Sequence, residues 1–322
     1  MSSANPASTS PITKIALIGA GAWGSTLATL ATRRGHTVQV WSRRSTTSLQ
    51  SVLDGAEIVI SAVSMKGVRS VVEHVQSLSL PSTAIVISAT KGLDASSGSA
   101  TQLPLLPSQI WQSALPHHRV VVLSGPNLAE EIQQGLPAAT VIAGNDSTAT
   151  NTIQLALSSN HFRVYTNPDL LGVELGGILK NVIAIAVGAC DGLQLGTNAK
   201  AALVTRGLTE IIRVGSYWGA KPDTFYGLAG LGDLLATCNS PLSRNYRVGY
   251  GLAQGKSLAT VLASLAGTAE GVNTADVLVR LAEQQHIAVP ISHQVYQLLQ
   301  GNITPQAAVA ALMLRDYKAE VS

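Results

Sequence analysis

The sequence of 322 residues is poor in several residue types. It has only two cysteines, Cys190 and Cys238, in separate apolar contexts, which excludes a disulfide framework and leaves no metal-ligand spacing. Aromatic residues make up 4% of the chain and charged residues 12%. The net charge is +3, and no run of lysines or arginines favours a nucleic-acid partner. We therefore expect a protein of a reducing compartment, the cytoplasm.

Long apolar runs and targeting signals are also missing. The most apolar run, residues 181–189, is far too short to span a membrane. Residues 1–12 are rich in Ser and Thr but lack the features of a signal peptide, and we predict a disordered tail there. Hydrophobic residues make up 46% of the chain, which is enough for a large core. The length suggests two domains.

Short apolar runs alternate with helical patterns in the first half of the chain. Candidate strands lie at residues 14–19, 37–41, 57–63, 83–89, 120–123, 139–143 and 162–165. This alternation predicts an α/β fold with a doubly wound, mainly parallel sheet. From about residue 168 only helical patterns follow. We therefore predict a dinucleotide-binding domain at 13–175 and an all-helical substrate-binding and catalytic domain at 176–322.

A glycine motif lies between the first candidate strand and the first helical pattern. Gly19, Gly21 and Gly24 form G-x-G-x-x-G, followed by a second strand near residue 40. In a Rossmann-type site these glycines allow the turn, the approach of a pyrophosphate and close helix packing. The helix N-terminus supplies N–H groups to the phosphates. The alternative is a glycine-rich turn without a ligand.

The end of the second strand indicates which dinucleotide binds. An NAD site usually has an acidic residue there, to bind the ribose 2′-hydroxyl. This chain has Arg43 and Arg44 instead, and the first acidic residue is Asp54. Guanidinium groups suit a 2′-phosphate, so we predict that NADP(H) is preferred and NAD(H) possible. The alternative is an exposed basic turn.

Two further strand ends carry polar residues. Lys91 follows the strand at 83–89, and Gly125 and Asn127 follow the strand at 120–123. Ligands of doubly wound sheets bind at the carboxyl ends of strands, so Lys91 is a candidate for an anionic substrate or a cofactor phosphate. Asn127 either contacts the ligand or caps the next helix.

Lys180 and Asn181 interrupt a helical segment that is apolar almost all round, which is typical of a buried helix. Burial lowers the pKa of a lysine toward neutrality, as a general acid or base requires. The alternative is a lysine that extends to the surface. Farther along, Asp233 and Thr237 are four residues apart and share a face if helical, where Asp233 can pair with Lys180. Arg244 is a candidate phosphate ligand, or else a surface arginine.

Seven segments in chain order together resemble the bacterial-type NAD(P)-dependent glycerol-3-phosphate dehydrogenase family. The likeness runs from Ile15 to about Asp316. The segments are GAGAWG (19–24), ATKGL (89–93), SGPNLAEE (124–131), ELGGILKNVIAIAVGACDG (174–192), GLAGLGDLLATC (227–238), SRN (243–245) and AEGVNT (269–274). The resemblance implies reversible reduction of dihydroxyacetone phosphate to sn-glycerol 3-phosphate, supplying glycerophospholipid synthesis.

The resemblance also assigns roles to individual residues. It makes Lys180 the proton donor and acceptor. The implied substrate contacts are Lys91, Gly125, Asn127, Asp233, Ser243, Arg244 and Asn245, with Asn181 and Thr237 in support. The implied cofactor positions are Gly19, Gly21, Ala22, Trp23, Gly24, Arg43, Arg44, Lys91, Ala129, Arg244 and Glu270, with Thr268 a weaker candidate.

Two departures from the family pattern concern the pocket. The segment that joins Arg44 to Glu57 is shorter than usual, so the adenine edge of the pocket must be built differently. Asn127 stands where Thr or Ser is common. The low charge and the apolar helices also lead us to expect a homodimer.

Two other functions fit parts of the sequence. One is a different NADP-dependent reductase, acting on a 2-keto or 3-hydroxy acid. Such a substrate carries no phosphate for Lys91 and Arg244 to bind. The other is a non-catalytic NADP-binding sensor, which would not need a lysine inside a buried helix.

Overall fold

The computed structural model describes residues 12–96, 103–315 and 319. A single sheet with flanking helices forms the first half of the chain, and a group of packed helices forms the second. The predicted N-terminal tail at residues 1–12 lies outside the described residues, apart from Ile12. That tail therefore stays a prediction.

Seven strands form the sheet: β1 (Lys14–Ile18), β2 (Thr37–Trp41), β3 (Ile58–Ser61), β4 (Ile85–Ser88), β5 (Arg119–Ser124), β6 (Ala138–Ala143) and β7 (Phe162–Asn167). Their order is β2-β1-β3-β4-β5-β6-β7. The pairs from β2 through β5 are parallel, β6 is antiparallel to β5, and β7 is parallel to β6. The prediction of a mainly parallel sheet is confirmed.

Helices cover both faces of this sheet. They are α1 (Ala22–Arg33), α2 (Leu49–Leu53), α3 (Met65–Gln76), α4 (Pro107–Ala114), α5 (Ala129–Gln133) and α6 (Ser147–Leu157). Apolar residues of α1, α5 and α6 pack on one face, and those of α2, α3 and α4 pack on the other. Because β3 and β4 are buried on both faces, each reads as an apolar run ending in serine, as expected for inner parallel strands. The sheet is doubly wound, as predicted.

Helices dominate from residue 168 onward, and the described residues up to 315 contain no strand there. They are α7 (Leu170–Gly192), α8 (Gly196–Trp218), α9 (Asp233–Cys238), α10 (Arg244–Ala253), α11 (Leu258–Ala263), α12 (Glu270–Gln284), α13 (Pro290–Leu299) and α14 (Pro305–Met313). A 3₁₀ turn (Pro222–Tyr226) and a π-helical turn (Leu228–Gly232) precede α9. The all-helical second half is confirmed.

Helix α7 is the core of this second half. Its residues are buried almost throughout, and α8, α9, α10, α12 and α13 pack around it. By length and composition α7 is the one described helix that could cross a membrane, but 83% of its most apolar stretch is buried inside the protein. The predicted domain boundary between residues 175 and 176 falls inside this helix, and the division stays a prediction.

Candidate active site

The glycine motif forms a tight turn between β1 and α1. Gly19 has a φ of +113°, and its N–H donates to the carbonyl oxygen of Trp41 at 2.8 Å. A Cβ on Gly19 would lie 2.6 Å from the carbonyl oxygen of Ala62, and a Cβ on Gly24 would collide with the carbonyl oxygen of Gly19. At Gly21, in contrast, no atom lies within 4 Å of an added Cβ. The open space at the helix N-terminus fits a phosphate ligand.

The predicted cofactor positions after β2 lie on a turn at the surface. Arg43 and Arg44 are exposed. The turn is held by Ser42, whose N–H donates to the hydroxyl of Ser45 at 2.9 Å. No acidic residue precedes Asp54, which is the C-cap residue of α2. The guanidinium groups are therefore accessible to an anion.

Two more predicted cofactor positions lie beside the glycine loop. Trp23 is half-buried in the first turn of α1. Ala129 begins α5, and its carbonyl oxygen lies 3.5 Å from the hydroxyl of Thr26 on α1. The amide of Gln133 also donates to this hydroxyl, at 2.9 Å. These contacts place the start of α5 next to the first turns of α1.

Lys180 is buried in the middle of α7, with 6% of its surface exposed. Its ammonium donates to Oδ1 of Asp233 at 2.9 Å and to the hydroxyl of Thr237. Desolvation by burial lowers the pKa of Lys180 to about 8, although Asp233 acts in the opposite direction. The predicted pairing of Lys180 with Asp233 is confirmed, and so is the shared face of Asp233 and Thr237.

A second lysine reaches the same carboxylate from the sheet. The ammonium of Lys91 donates to Oδ2 of Asp233 at 2.6 Å and to the carbonyl oxygen of Gly125 at 3.2 Å. Asp233 is 2% exposed, so two cations share one buried anion. The cluster carries a net positive charge, which suits an anionic substrate. A Cβ on Gly177 of α7 would collide with Oγ of Ser124 and lie 3.3 Å from Cε of Lys91, so the glycine makes room for Ser124 beside Lys91.

Asn127 does not cap a helix, and this alternative was wrong. Helix α5 begins at Ala129 with Leu128 at its N-cap position, and no side chain caps it. The amide of Asn127 instead donates to the hydroxyl of Thr140 at 3.1 Å. Gly125, with a φ of +146°, packs against the same threonine. The turn after β5 is thus fastened to β6, and the antiparallel pairing of these strands brings the two together.

Two buried polar atoms beside this turn are candidate contacts for a ligand. Within the described part of the chain, Oδ1 of Asn127 and the hydroxyl of Ser124 are buried and have no hydrogen-bond partner. Buried polar atoms normally have a hydrogen-bond partner, so the lack of one at these two atoms requires an explanation. Ser124 was missed in the sequence, although it ends β5 directly before Gly125.

The Ser-Arg-Asn motif begins α10. The hydroxyl of Ser243 accepts from the N–H of Tyr246 at 3.2 Å and caps the helix. The amide of Asn245 donates to Oδ1 of Asn181 at 2.8 Å, and its oxygen accepts from the N–H of Gly271 at 2.9 Å. These bonds join α7, α10 and the start of α12. Of the three motif residues, Arg244 alone has an exposed side chain.

The start of α12 connects the helical half to the sheet. Oε1 of Glu270 accepts from the N–H of Met65 at the start of α3, at 3.1 Å. Burial raises the pKa of Glu270. The amide of Asn273 donates to the carbonyl oxygen of Leu93 at 2.9 Å. Thr268 is exposed on the loop before α12. No sequence pattern indicates this contact of Asn273.

Comparisons with known proteins agree with this architecture. The family model for the C-terminus of NAD-dependent glycerol-3-phosphate dehydrogenase matches residues 169–310. The family model for its N-terminus matches residues 14–48 and 44–150. The two N-terminal matches overlap at residues 44–48, where the short segment after Arg44 begins. A glycerol-3-phosphate dehydrogenase [NAD(P)+] from Nostoc sp. is 65% identical over 96% of this chain and 98% of the relative. One from Synechocystis sp. is 59% identical over 95% of both chains.

A solved structure extends the agreement to three dimensions. The crystal structure of glycerol-3-phosphate dehydrogenase from Coxiella burnetii superposes with a TM-score of 0.88 and 34% identity, covering 94% of this chain and 99% of that chain. The fold and the glycine turn define a dinucleotide-binding oxidoreductase. More specifically, the chain belongs to the NAD-dependent glycerol-3-phosphate dehydrogenase family.

Proposed function

We propose that Lys180 is the proton donor and acceptor of this enzyme. The chain catalyses the interconversion of dihydroxyacetone phosphate and sn-glycerol 3-phosphate with NAD(P)H, the reaction of its family. In the direction of reduction, the ammonium of Lys180 gives a proton to the oxygen on C2 of the ketone. In the opposite direction, the neutral amine takes the proton of the C2 hydroxyl. A pKa of about 8 makes both states accessible near neutral pH.

The observation that supports this role is the cluster of Lys180 and Asp233, both buried, with the partly buried Lys91. Asp233 orients Lys180 and holds it in place through a bond of 2.9 Å. The two ammonium groups and the single carboxylate leave one net positive charge. This charge stabilises the negative charge that develops on the substrate oxygen. Water is kept out because Lys180 and Asp233 are almost fully buried.

We assign the substrate phosphate to the first turn of α10. Arg244 begins this helix and is exposed, so its guanidinium can bind the phosphate. Asn245 is fixed from both sides by Asn181 and Gly271, and it orients the turn. Lys91, Ser124 and Asn127 contact the carbon chain and hydroxyls, where the two unpaired polar atoms find partners.

The residues of the sheet fit a nicotinamide dinucleotide. The open space at Gly21 and the uncapped N-terminus of α1 receive the pyrophosphate. The proposed further contacts with the dinucleotide are Ala22, Trp23, Ala129, Thr268 and Glu270. When bound, the dinucleotide supplies or accepts the hydride at C2. Arg43 and Arg44 select NADP(H) over NAD(H) through the 2′-phosphate.

An assay of NADPH oxidation with dihydroxyacetone phosphate tests the role of Lys180. We expect Lys180→Ala to lower kcat by about 10²- to 10⁴-fold, the usual contribution of a positioned acid or base. Asp233 keeps its partner Lys91 in this variant, so the fold and the Kd for NADPH should be unchanged. Lys221→Ala removes an exposed lysine as a matched control. Full turnover by Lys180→Ala would remove this residue from the mechanism.

The same assay separates the two other functions. Turnover of a 2-keto or 3-hydroxy acid, with none of the phosphorylated ketone, would favour a different reductase. Tight binding of NADPH without turnover of any ketone would favour a sensor.

A second assay tests the selection of the cofactor. We expect the double variant R43A/R44A to raise the Kd for NADPH about 10- to 100-fold, because charge-assisted hydrogen bonds to the 2′-phosphate are lost. The Kd for NADH should change little. Arg33→Ala removes an exposed arginine from the end of α1 as a control. Equal losses for the two cofactors would contradict the assignment.

In the cell, we propose that the enzyme supplies glycerol 3-phosphate for glycerophospholipid synthesis in the cytoplasm. The support is its reaction, because the product is the backbone on which these lipids are built. We also propose that it acts as a homodimer, and sedimentation of the purified chain tests this.

A further inference from the structure

The first turn of α10 is held at two points that lie far apart along α7. Asn245 bonds to Asn181 on the side of the active site. On the other side, the hydroxyl of Tyr246 donates to Oδ2 of Asp191 at 2.8 Å. Asn181 and Asp191 are ten residues apart, about 15 Å along a helix. The turn is therefore fixed between two polar contacts, and the second of them plays no part in the proposed chemistry.

The contact between Asp191 and Tyr246 is reinforced by a lysine. The ammonium of Lys200 on α8 lies 2.7 Å from the same Oδ2 of Asp191. It also lies 5.8 Å from the ring centre of Tyr246. The carboxylate thus has a partner on α8 and another on α10. Burial and the bond to Asp191 raise the pKa of Tyr246, so its hydroxyl keeps the proton that it donates.

Glycines bring the backbones of α10 and α7 close together. A Cβ on Gly188 would collide with the carbonyl oxygen of Tyr246, and a Cβ on Gly249 would collide with that of Ile185. The two backbones therefore touch directly here. Farther along α10, the buried Val248 and the bond from the amide of Gln254 to the carbonyl oxygen of Gly192 at 2.7 Å hold the helix against α7. The polar contacts of Asn245 and Tyr246 add directional bonds to this close packing at the first turn of α10.

We propose that Tyr246 and Asp191 are positioning residues for the turn that binds the substrate phosphate. They act through the backbone of α10 on Arg244 and Asn245 and do not touch the substrate. The inference rests on the proposed assignment of the phosphate to that turn. Displacement of the turn weakens binding of the phosphate, whereas Lys180 and its proton transfer stay as they are.

Steady-state kinetics of Tyr246→Phe and Asp191→Asn test the proposal. We expect the KM for dihydroxyacetone phosphate to rise about three- to tenfold, the effect of one lost hydrogen bond. The inhibition constant of inorganic phosphate, competing with that substrate, should rise by the same factor. The kcat should stay within about twofold, and the pH profile should be unchanged. Tyr250→Phe, which alters the exposed ring stacked on Tyr246, is the matched control.

The outcomes separate this inference from the proposed function. If the wild type oxidises NADPH with the phosphorylated ketone, unchanged KM and phosphate inhibition in both variants overturn the inference alone. A lower melting temperature without a change in KM assigns the two residues to stability only and overturns it as well. Absence of turnover by the wild type overturns the proposed function instead.

Discussion

Asp233 lies between two ammonium groups, and its charge acts on both. Its Oδ1 pairs with Lys180 and its Oδ2 with Lys91. Burial lowers the pKa of Lys180, Asp233 raises it, and the charge of Lys91 lowers it further. The net result is a pKa of about 8. Burial therefore sets the direction of the pKa shift of Lys180, and the carboxylate of Asp233 limits its size.

This balance predicts the pH dependence of the wild-type enzyme. Reduction needs the ammonium form of Lys180, so kcat/KM for the ketone should fall as the pH rises through about 8. Oxidation needs the neutral amine, so its kcat/KM should rise over the same range. Rates in both directions, measured as a function of pH, check this expectation.

Asp233→Asn should move both profiles to lower pH, because loss of the carboxylate lowers the pKa of Lys180 further. Thr237→Val leaves the carboxylate in place and should shift the profiles less. Identical profiles in wild type and Asp233→Asn would show that Asp233 does not control the pKa of Lys180.

At the scale of elements, the contact of α7 with α10 depends on glycine. Gly249→Ala places a methyl group against the backbone of Ile185 and forces the helices apart. We expect a loss of about 1–3 kcal/mol of stability, typical of overpacking. Denaturant unfolding measures it.

Gly67→Ala is the matched control, because its nearest neighbours lie 3.8 Å or more from an added Cβ. In the first turn of α3 this change should be neutral or stabilising, since alanine is the better helix former. Equal effects of the two substitutions would argue against a tight contact at Gly249.

At the scale of the whole molecule, a buried carboxylate links stability to pH. Glu174 on α7 accepts from the N–H of Ser108 at 2.9 Å and from its hydroxyl, which joins α7 to α4. Burial raises the pKa of Glu174 to about 7. Between about 4.5 and about 7 the native state therefore holds a proton that the unfolded state has lost. The contribution of Glu174 to stability decreases as the pH rises through this window.

Glu174→Gln should remove that decrease, because the amide does not titrate. The free energy of unfolding, measured across this pH window, should fall less steeply in the variant than in the wild type. Glu73→Gln on the exposed surface of α3 should leave the slope as it is. A slope unchanged by Glu174→Gln would mean that this carboxyl titrates normally.

The sequence by itself determined the local features. The glycine turn at Gly19, the alternation of strands and helices and the apolar helix around Lys180 follow from backbone sterics and hydrophobic periodicity. Such properties depend on neighbouring residues, so they can be read along the chain. The spacing of Asp233 and Thr237 is of the same kind.

Only the tertiary structure decided which distant residues meet. It brought Lys91 to Asp233, Glu270 to Met65 and Asp191 to Tyr246. The antiparallel pairing of β6 with β5 places Thr140 beside Asn127. The amide of Asn127 therefore donates to Thr140, and Asn127 does not cap a helix. These contacts join residues far apart in the chain, and their geometry depends on how whole elements pack. No local pattern encodes that packing.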